Sequence, residues 1–312
     1  MTNTMATKSQ VQALLWQAIT PIHPGTGQVS ASVIDLPVAR EGATGFPVLP
    51  ASSIKGVLRG GEGLRPGDDK SQAEPVKKAR QWFGYADHLE EGEGAGAAEP
   101  AKRGSAAGDL SFTDARLLAL SVPSYRGTFA LVTCPMILCR LRRDQEVLGV
   151  PAVAEPRLPQ PFTAFVSENT VLRHKDQVIL QDLDLRAEVT AEVGALAQFL
   201  TAGLSPEDAA LIAERLCVVS DDVLAFLSET ATEVTAHVRL EPDKKTVVNG
   251  ALWYEETIPA ETLFTSFVIS KTGEGLAALQ GRPYLQIGGK GSVGRGLLRV
   301  VTGGTAVTPG GE

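Results

Sequence analysis

The sequence predicts an α+β fold with a large insertion in the middle of the chain. Strand-like patterns lie near both ends, helical patterns lie between them, and the proline-rich segment 151–161 marks where the insertion starts. We therefore expect residues 1–149 and 231–312 to form one unit. Residues 150–230 are expected to form an inserted, mainly helical region.

The elements of the first half follow from apolar spacing and from the positions of Gly and Pro. Residues 11–20 alternate in part between apolar and polar and end at Pro21, which indicates a strand; a loop is predicted from His23 to Arg40. The elements predicted after this loop are helices at 52–59 and 71–83, a flexible acidic loop at about 90–107, strands at 109–113 and 128–132, and a helix at 134–148.

The elements of the second half begin with the inserted region. A possible hairpin at 172–178 is followed by two helices. Ser205 is the predicted N-cap of the second helix, because Pro206 follows it and acidic residues occupy the first turn. Strands are predicted at 232–240 and 246–254, and a last strand leads to and from a glycine-rich loop at 288–296.

The net charge of −7 does not exclude a nucleic acid as partner. Residues 85–99 carry a charge of −5 and residues 205–222 carry −4, so that the remainder of the chain has a net charge of +2. Residues 282–299 contain four cations and no acid. Because charges are screened beyond a Debye length of ~8 Å at physiological salt, distant acids do not reach a ligand on a basic face.

Composition excludes several other classes. No apolar run approaches the ~20 residues of a membrane span, and the first residues lack the apolar stretch of a signal peptide, so we expect a cytoplasmic protein with no membrane partner. Cys134, Cys139 and Cys217 lie in apolar sequence without C-x-x-C spacing, which favours reduced core thiols. The four histidines are scattered, which argues against a zinc site.

The segment from Gly45 to Arg59 suits a phosphate. A turn marked by Pro50 delivers Ser52 and Ser53 to the start of the predicted helix, and Lys55 and Arg59 fall four residues apart on one face. Because a helix N-terminus has free N–H groups and a partial positive charge, these hydroxyls and cations indicate a phosphate site.

The loop 288–296 is a second element that suits a phosphate. Gly288 and Gly289 leave the backbone open to close approach, and Lys290 and Arg295 flank it. The alternative is a glycine-rich hairpin packed against the sheet. A dinucleotide site is excluded because only 16 residues follow Gly296, and a Walker loop is excluded because Gly291 follows the lysine. Together with the helix at 52–59, the loop suggests a surface that holds a polyphosphate backbone.

Three short motifs match the pattern of serine hydrolases of the β-lactamase type. Ser52 and Lys55 form S-x-x-K, Ser220 begins a segment close to S-D-N, and Lys271 begins K-T-G, in the expected order. Such short patterns arise easily by chance, and the middle one is imperfect. This class is therefore a distant alternative.

Asp35 is the candidate catalytic residue of the chain. It is a single carboxylate in an apolar run just before a proline, which fits a turn-capping aspartate or a carboxylate that orients a ribose hydroxyl or holds a divalent ion. The residues leave both interpretations open. His23, in a loop rich in Gly and Pro, is more typical of a hydrogen-bonded loop histidine than of a general base.

Several blocks of the sequence together resemble the RAMP superfamily of CRISPR effector proteins, and more narrowly the repeated backbone subunit of type III-B (Cmr) complexes. They follow one another along the chain in the expected order. The matching blocks are 23–27, 35–41, 44–59, 108–118, 127–140, 252–264 and 288–296.

The resemblance implies a ferredoxin-like (RRM-type) palm with the insertion as a thumb. It also implies that copies stack head to tail on a guide RNA and that a metal-dependent endoribonuclease site, using Mg²⁺ or Mn²⁺, cuts the paired target next to each thumb. The family's catalytic aspartate falls on Asp35, which is then a possible metal ligand. The residues expected at the RNA are His23, Ser53, Lys55, Arg59, Gly288, Gly289, Lys290 and Arg295.

The sequence therefore predicts a subunit of an RNA-guided antiviral effector that binds guide RNA and cleaves complementary single-stranded target RNA at regular intervals. Its expected partners are both RNAs, further copies of itself and other RAMP subunits. The proposed chemistry is attack of the target's own 2′-OH on the adjacent phosphate, with Asp35 activating the hydroxyl or holding the metal. The alternative is a non-catalytic RNA scaffold with an inert Asp35.

Overall fold

The computed structural model of the chain describes residues 9–25, 34–61, 74–86, 105–149, 151–241, 243–244, 246–279 and 281–307. The α-helices in these ranges are α1 (Ala51–Gly61), α2 (Glu74–Phe83), α3 (Pro135–Leu148), α4 (Ala191–Leu200), α5 (Pro206–Arg215) and α6 (Asp221–Thr230). None of these helices is long and apolar enough to cross a membrane.

The strands of the first half are β1 (Gln10–Ala18), β2 (Val48–Leu49), β3 (Tyr85–Ala86), β4 (Ser105–Ala106), β5 (Leu110–Phe112), β6 (Ala115–Pro123) and β7 (Phe129–Thr133). Those of the second half are β8 (Thr163–Val166), β9 (Arg173–His174), β10 (Gln177–Leu180), β11 (Leu183–Val189), β12 (Leu216–Val218), β13 (Glu233–Leu240), β14 (Val247–Thr257), β15 (Leu263–Ser270), β16 (Tyr284–Gln286) and β17 (Leu297–Val307). Both halves thus combine helices and strands, as expected for the α+β class.

A mixed sheet of thirteen strands organises the molecule, in the order β16-β17-β1-β15-β6-β7-β12-β8-β11-β10-β9, with β2 paired to β6 and β5 to β15. The first predicted strand is confirmed as β1, which pairs antiparallel with β15 on one side and β17 on the other. Trp16 of β1 is fully buried, and its indole Nε1 donates to Ser266 Oγ at 2.8 Å. The first and last parts of the chain therefore meet at the centre of the fold.

Strand β6 is a central strand that the sequence patterns did not predict. Its residues from Leu117 to Val122 are all buried, so both of its faces are covered. A strand buried on both faces lacks the alternation of apolar and polar residues by which strands are recognised. The strands predicted on either side of it are confirmed as β5 and β7.

The region 150–230 continues the main sheet. Strand β12 pairs parallel with β7 and antiparallel with β8, so hydrogen bonds join this region to the first half of the chain. The predicted hairpin is confirmed as β9 and β10, and Ser205 caps α5 by accepting from Asp208 N at 3.2 Å. Helix α6 was not predicted. The division of the chain at 150 and 230 stays a prediction.

Most of the predicted acidic loop lies outside the described residues. Residues 90–104 lie outside the described ranges. Residues 26–33, which belong to the loop predicted from His23 to Arg40, lie outside them too. At the end of the acidic loop, however, β4 pairs antiparallel with β3. The boundary predicted at 107 was therefore too late, because Ser105 and Ala106 belong to a short strand.

A second, two-stranded sheet is formed by β13 and β14, which we call the 233–257 hairpin. Both predicted strands are confirmed. Side chains alternate between its two faces. One face carries the exposed apolar residues Val234, Val238, Leu240, Leu252 and Tyr254. An exposed apolar face of this kind usually marks an interaction surface.

Candidate functional site

Asp35 lies at the base of the 233–257 hairpin, with an exposed side chain. Its Oδ2 accepts a hydrogen bond from Tyr254 N at 2.8 Å. The backbone continues this contact, because Leu36 N donates to Tyr254 O at 3.1 Å and Glu256 N donates to Leu36 O at 3.0 Å. The segment that carries Asp35 is thus added to β14 as a short parallel strand, which fixes the carboxylate beside the hairpin.

Glu256 fastens the same segment from the other side. Its buried carboxylate accepts from Val38 N at 2.9 Å through Oε2 and pairs with Arg40 through Oε1. Arg40 also donates to the carbonyl oxygens of Gly45 and Ser228. Both carboxylate oxygens of Glu256 are thus bound to groups of the protein. Glu256 therefore holds residues 36–40 against the hairpin and does not face a ligand.

Glu255 is a buried carboxylate that the sequence patterns did not single out. It is 2% exposed, and its Oε2 lies 3.3 Å from Lys290 Nζ and 3.8 Å from His237 Nε2. The His237 ring stacks on Trp253 with 5.5 Å between ring centroids. No hydrogen bond reaches Glu255 Oε2 or His237 Nε2 within the described ranges. The strand alternation of β14, which places Glu255 on the opposite face from Tyr254 and Glu256, is the sequence signal that could have indicated the position of Glu255.

The loop 288–296 is packed against the first part of the chain. Gly289 N donates to His23 O and Gly296 N donates to Pro21 O, both at 2.9 Å. Gly288 has a φ of 90°, and a Cβ there would lie 2.5 Å from His23 O. The glycine at 288 is therefore required by backbone packing, which is what the packed-hairpin alternative predicted.

The two cations of this loop are paired with acids of the 233–257 hairpin. Lys290 contacts Glu255, and Arg295 Nη1 lies 3.8 Å from Glu233 Oε2. Both ion pairs join the loop to the hairpin. The loop and Asp35 therefore both contact the hairpin, a proximity that the sequence analysis did not predict, and the cations of the loop are partly neutralised there.

His23 is buried, at 6% exposure. Its Nδ1 lies 2.8 Å from Glu256 O, so it is hydrogen-bonded to the backbone of the hairpin. The His23 ring thus contacts the hairpin, and the His23 carbonyl oxygen accepts from Gly289 N. His23 therefore joins the hairpin to the loop 288–296. This arrangement matches the hydrogen-bonded loop histidine that the sequence favoured.

Helix α1 is confirmed, and it presents Ser52, Lys55 and Arg59 to a cleft on its outer side. Its buried face carries Ile54 and Leu58. The N-terminal end differs from the prediction, because Asp114 Oδ1 accepts from Ala51 N at 2.7 Å. A carboxylate therefore occupies the position at which a phosphate was expected, while the half-buried Ser53 donates its backbone N–H to Pro50 O at 3.0 Å.

The C-terminal end of α1 approaches the segment that precedes the glycine loop. Arg282 Nη2 donates to Gly61 O at 3.1 Å, which caps a free carbonyl group of the helix. Since β16 begins at Tyr284 and leads into the loop, α1 and the loop region are neighbours. The structure thus places the segment before the loop against the C-terminal end of α1.

The serine hydrolase pattern is only partly assembled. Ser52, Lys55 and Lys271 line the same cleft. Ser220, however, precedes α6, whose Asp221 accepts from Met136 N of α3. Ser220 is not among the described residues that line the cleft, so the three motifs do not meet there.

A protein cage for a metal ion is not present in the described part of the chain. No three His, Cys, Asp or Glu side chains gather there as possible ligands. Mg²⁺ is commonly held by one or two carboxylates together with substrate phosphates, however, and such a site needs no cage. Asp35 is exposed and uses only Oδ2 for the hairpin, so it fits an ion that is shared with RNA.

Two other carboxylates stabilise the surroundings through charged and polar contacts. Burial raises the pKa of Glu41, but hydrogen bonds from Arg140 and Thr44 outweigh it and hold that pKa below its ordinary value. Burial also raises the pKa of Asp109, and hydrogen bonds from Ser270 and Thr272 lower it below the ordinary value. Both groups are therefore ionised in the folded protein at neutral pH.

Comparisons with known proteins identify the family to which this sequence is similar. The sequence model of the RAMP superfamily matches residues 17–299. The CRISPR system Cmr endoribonuclease Cmr4 of Pyrococcus furiosus is 34% identical over 297 residues, which is 90% of this chain and 92% of that protein. The chain is thus similar to this relative over nearly its full length.

Solved structures show the same fold. The crystal structure of oligomeric Cmr4 from Pyrococcus furiosus superposes with a TM-score of 0.68 and 28% identity, covering 95% of this chain and 98% of that one. A subunit in the cryo-EM structure of the type III-B Cmr-beta complex bound to cognate target RNA has a TM-score of 0.66 and 20% identity, covering 94% and 96%. At that lower identity the second likeness supports the fold alone.

Proposed function

This chain belongs to the RAMP superfamily, and we propose that it is a backbone subunit of a type III-B CRISPR effector that binds guide RNA and cleaves the paired target RNA. The relative at 34% identity is named an endoribonuclease, and a structure of that relative is described as oligomeric. In this proposal further copies of the chain stack along the guide, and other RAMP subunits complete the complex.

The attachment of Asp35 to the 233–257 hairpin is the observation that carries the proposal. The hydrogen bond from Tyr254 N positions this carboxylate relative to the hairpin. If the exposed apolar face of the hairpin enters between guide and target, the carboxylate is delivered to a fixed place beside the opened target strand. The site and the element that distorts its substrate thus form one unit.

The hairpin, in this proposal, performs the role that the sequence assigned to residues 150–230. It forms its own two-stranded sheet and exposes an apolar face, whereas the strands of 150–230 extend the main sheet. The main sheet with α1 then corresponds to the ferredoxin-like palm. The division into palm and thumb is accordingly proposed at 233 and 257 and no longer at 150 and 230.

The proposed chemistry is an internal transfer within the target strand. The 2′-oxygen loses its proton and attacks the adjacent phosphorus, the P–O5′ bond breaks, and the leaving 5′-oxygen takes a proton from water. The products carry a 2′,3′-cyclic phosphate and a 5′-hydroxyl. Splaying the strand aligns the attacking and leaving oxygens, and such positioning supplies much of the rate in reactions of this kind. Asp35 accepts the proton of the 2′-hydroxyl or orients that hydroxyl for attack.

A divalent ion, Mg²⁺ or Mn²⁺, would be held by Asp35 together with phosphate oxygens of the RNA. When bound, it would neutralise charge that develops on the phosphate. The described residues supply one exposed carboxylate for it, and Glu255 and Glu256 are engaged within the protein. The proposal therefore needs RNA to complete the ion's ligands.

Contact with the guide is proposed for α1, through Lys55, Arg59 and the Ser53 hydroxyl. Lys290 and Arg295 are proposed to act less directly, because their ion pairs hold the glycine loop and the hairpin together. Gly288, Gly289 and the buried His23 form the joint between them. In this proposal these residues together fix the position of the hairpin relative to the RNA that α1 binds.

Cleavage of a labelled target RNA by the guide-loaded assembly tests the proposal, with Asp35→Ala compared with wild type. The control is Asp184→Ala, an exposed aspartate on β11. We expect the Asp35 variant to bind target normally and to cut it about 100-fold more slowly or worse, the range typical of losing a general base. Equal cutting by both variants would remove Asp35 from the mechanism.

The products and the metal separate the remaining alternatives. A 2′,3′-cyclic phosphate supports attack by the 2′-hydroxyl, and a 5′-phosphate would refute it. Loss of cutting in EDTA with recovery in Mn²⁺ supports the ion. If wild type binds target but never cuts, the chain is a non-catalytic scaffold.

A further inference from the structure

A basic cleft lies beside α1, and only its Lys55 and Arg59 are used by the function proposed above. It has a volume of about 580 Å³, within the range of roughly 300–1,000 Å³ that small ligands occupy. Its walls come from α1, from the end of α2 with β3, and from β5. None of the described residues that line it is acidic. An anionic ligand is therefore not opposed by the cleft's own described lining.

Three cations line the cleft: Lys55 and Arg59 on α1 and Lys271 on the turn after β15. The Lys271 turn is held firmly. The buried carboxylate of Asp109 accepts from Thr272 N at 2.8 Å and Gly275 N at 3.3 Å and from the Ser270 hydroxyl. Lys271 is thus the exposed member of a rigid turn, and its ammonium group can meet phosphate without ordering the backbone first.

Two aromatic rings, those of Tyr85 and Phe112, also line the cleft. Phe112 stacks on the buried Phe83 with 6.1 Å between centroids and 7° between planes, so its orientation is fixed. The Arg80 guanidinium lies over the Tyr85 ring at 5.4 Å. Rings held in this way are platforms on which a nucleobase stacks, and such stacking is tolerant of sequence.

We propose that this cleft binds one unpaired nucleotide of an RNA strand, with its base against Tyr85 and Phe112 and its flanking phosphates at Lys55, Arg59 and Lys271. The inference rests on the proposed function and extends it, because it adds a base-holding site to the phosphate contacts of α1. The cations stand on two separate elements, α1 and the 270–275 turn. That spread suits a strand that continues past the cleft better than a free nucleotide with one phosphate cluster.

Binding of short single-stranded RNA to the full chain tests the site by comparing normal RNA with RNA that lacks bases. Tyr85→Leu removes the ring and keeps apolar packing, whereas Lys271→Gln removes a charge. We expect Tyr85→Leu to weaken binding of normal RNA about fivefold or more, from the range for one stacked base. The same variant should leave binding of abasic RNA unchanged.

Lys271→Gln should weaken both RNAs and flatten the slope of log affinity against log salt by about 0.7. The matched control is Arg126→Gln, in the exposed turn between β6 and β7, which should leave both unchanged. If Tyr85→Leu affects normal and abasic RNA equally, or neither, the base-holding site is refuted. Adenosine monophosphate that displaces RNA from wild type but not from Tyr85→Leu would assign the cleft to a free nucleotide instead.

Crosslinking of wild type provides a test that does not depend on a variant's folding. RNA containing 4-thiouridine, irradiated in the complex, should label the tryptic peptide 81–102, which contains Tyr85. A label in peptide 104–116, which contains Phe112, is equally consistent with the proposal, and labels absent from both peptides would overturn it. Target cutting distinguishes the base-holding site from the proposed endonuclease. If the protein cuts target but the cleft variants do not alter RNA binding, only the base-holding site is refuted. If RNA binds at the cleft but is never cut, only the endonuclease is refuted.

Discussion

The glycine loop and the α1 cleft both carry cations, but the fold treats them differently. Lys290 and Arg295 of the loop are paired with Glu255 and Glu233 of the hairpin. In the described part of the chain, by contrast, no carboxylate lies within ion-pair distance of Lys271, and none lines its cleft. Sequence alone made the loop and α1 equivalent phosphate sites.

The difference separates two lysines of the chain, because Lys290 is paired with a buried carboxylate whereas Lys271 has no carboxylate partner among the described residues. At the hairpin base, acids from β13 and β14 reach the loop, and the cations serve to join two elements. At the cleft, the cations share their walls with aromatic rings. We therefore expect the first region to govern stability and hairpin position and the second to govern RNA affinity.

Removing the Glu256 carboxylate should produce the largest effect on the hairpin base. Glu256→Ala leaves Arg40 without its buried partner and frees Val38 N, so we expect unfolding free energy to fall by about 3 kcal/mol. Chemical denaturation measures this, with Glu229→Ala, an exposed glutamate of α6, as control. A loss no larger than the control's would mean that the Asp35 segment is held by other contacts.

Replacing Lys290 with Met tests whether the loop cation is structural. The change leaves Glu255 buried without its cation, and we expect a loss of about 2 kcal/mol in unfolding free energy. Adding Glu255→Gln should restore part of it, since the buried charge is then gone. Lys271→Met is the matched cleft variant and should stay within about 0.5 kcal/mol of wild type. Equal losses at both lysines would abolish the distinction between the regions.

Lowering the pH tests the ion pairs of the fold, because it protonates carboxylates and leaves lysines and arginines charged. The pKa of Glu41 is lowered in the folded state, so its contribution is complete above its ordinary value of 4.5 and is lost as pH falls through the lower folded value. We expect Glu41→Gln to cost about 1 kcal/mol at neutral pH and to narrow the gap to wild type in acid. A gap that stays constant with pH would show that the Glu41–Arg140 pair contributes nothing.

The salt dependence of RNA binding gives the smallest expected effect. Lys55→Ala should flatten the slope of log affinity against log salt by about 0.7, the value for one phosphate of a single strand. Arg295→Ala should change the slope by less, because Glu233 already offsets its charge. Equal changes would restore the equivalence that the sequence suggested.

Local features of the site could be predicted from the sequence, because short-range rules determine them. Helix α1 follows from Pro50 and the hydroxyls after it, and the N-cap of α5 follows from Ser205 and Pro206. The resemblance of the sequence blocks to the RAMP superfamily is confirmed by the family match over residues 17–299. These signals each lie within a few residues of the element they specify.

The contacts that decide what the residues do are long-range and could not be predicted. Asp35 accepts from Tyr254 N, and Arg40 pairs with Glu256, across more than 200 residues of sequence. Asp114 occupies the N-terminus of α1 from a neighbouring strand end. No periodicity or spacing reports such pairs, because they depend on how the sheet brings distant segments together.

The central position of β1 has a consequence for how the protein is made. Both of its neighbours, β15 and β17, come from residues 263–307, so more than 240 residues must follow β1 out of the ribosome before β1 gains a partner. At roughly 5–20 residues per second, the apolar strand waits about 10–50 s with two bare edges. The centre of the sheet therefore forms only once residues 263–307 have emerged, and we expect chains that stop before residue 263 to expose both edges of β1.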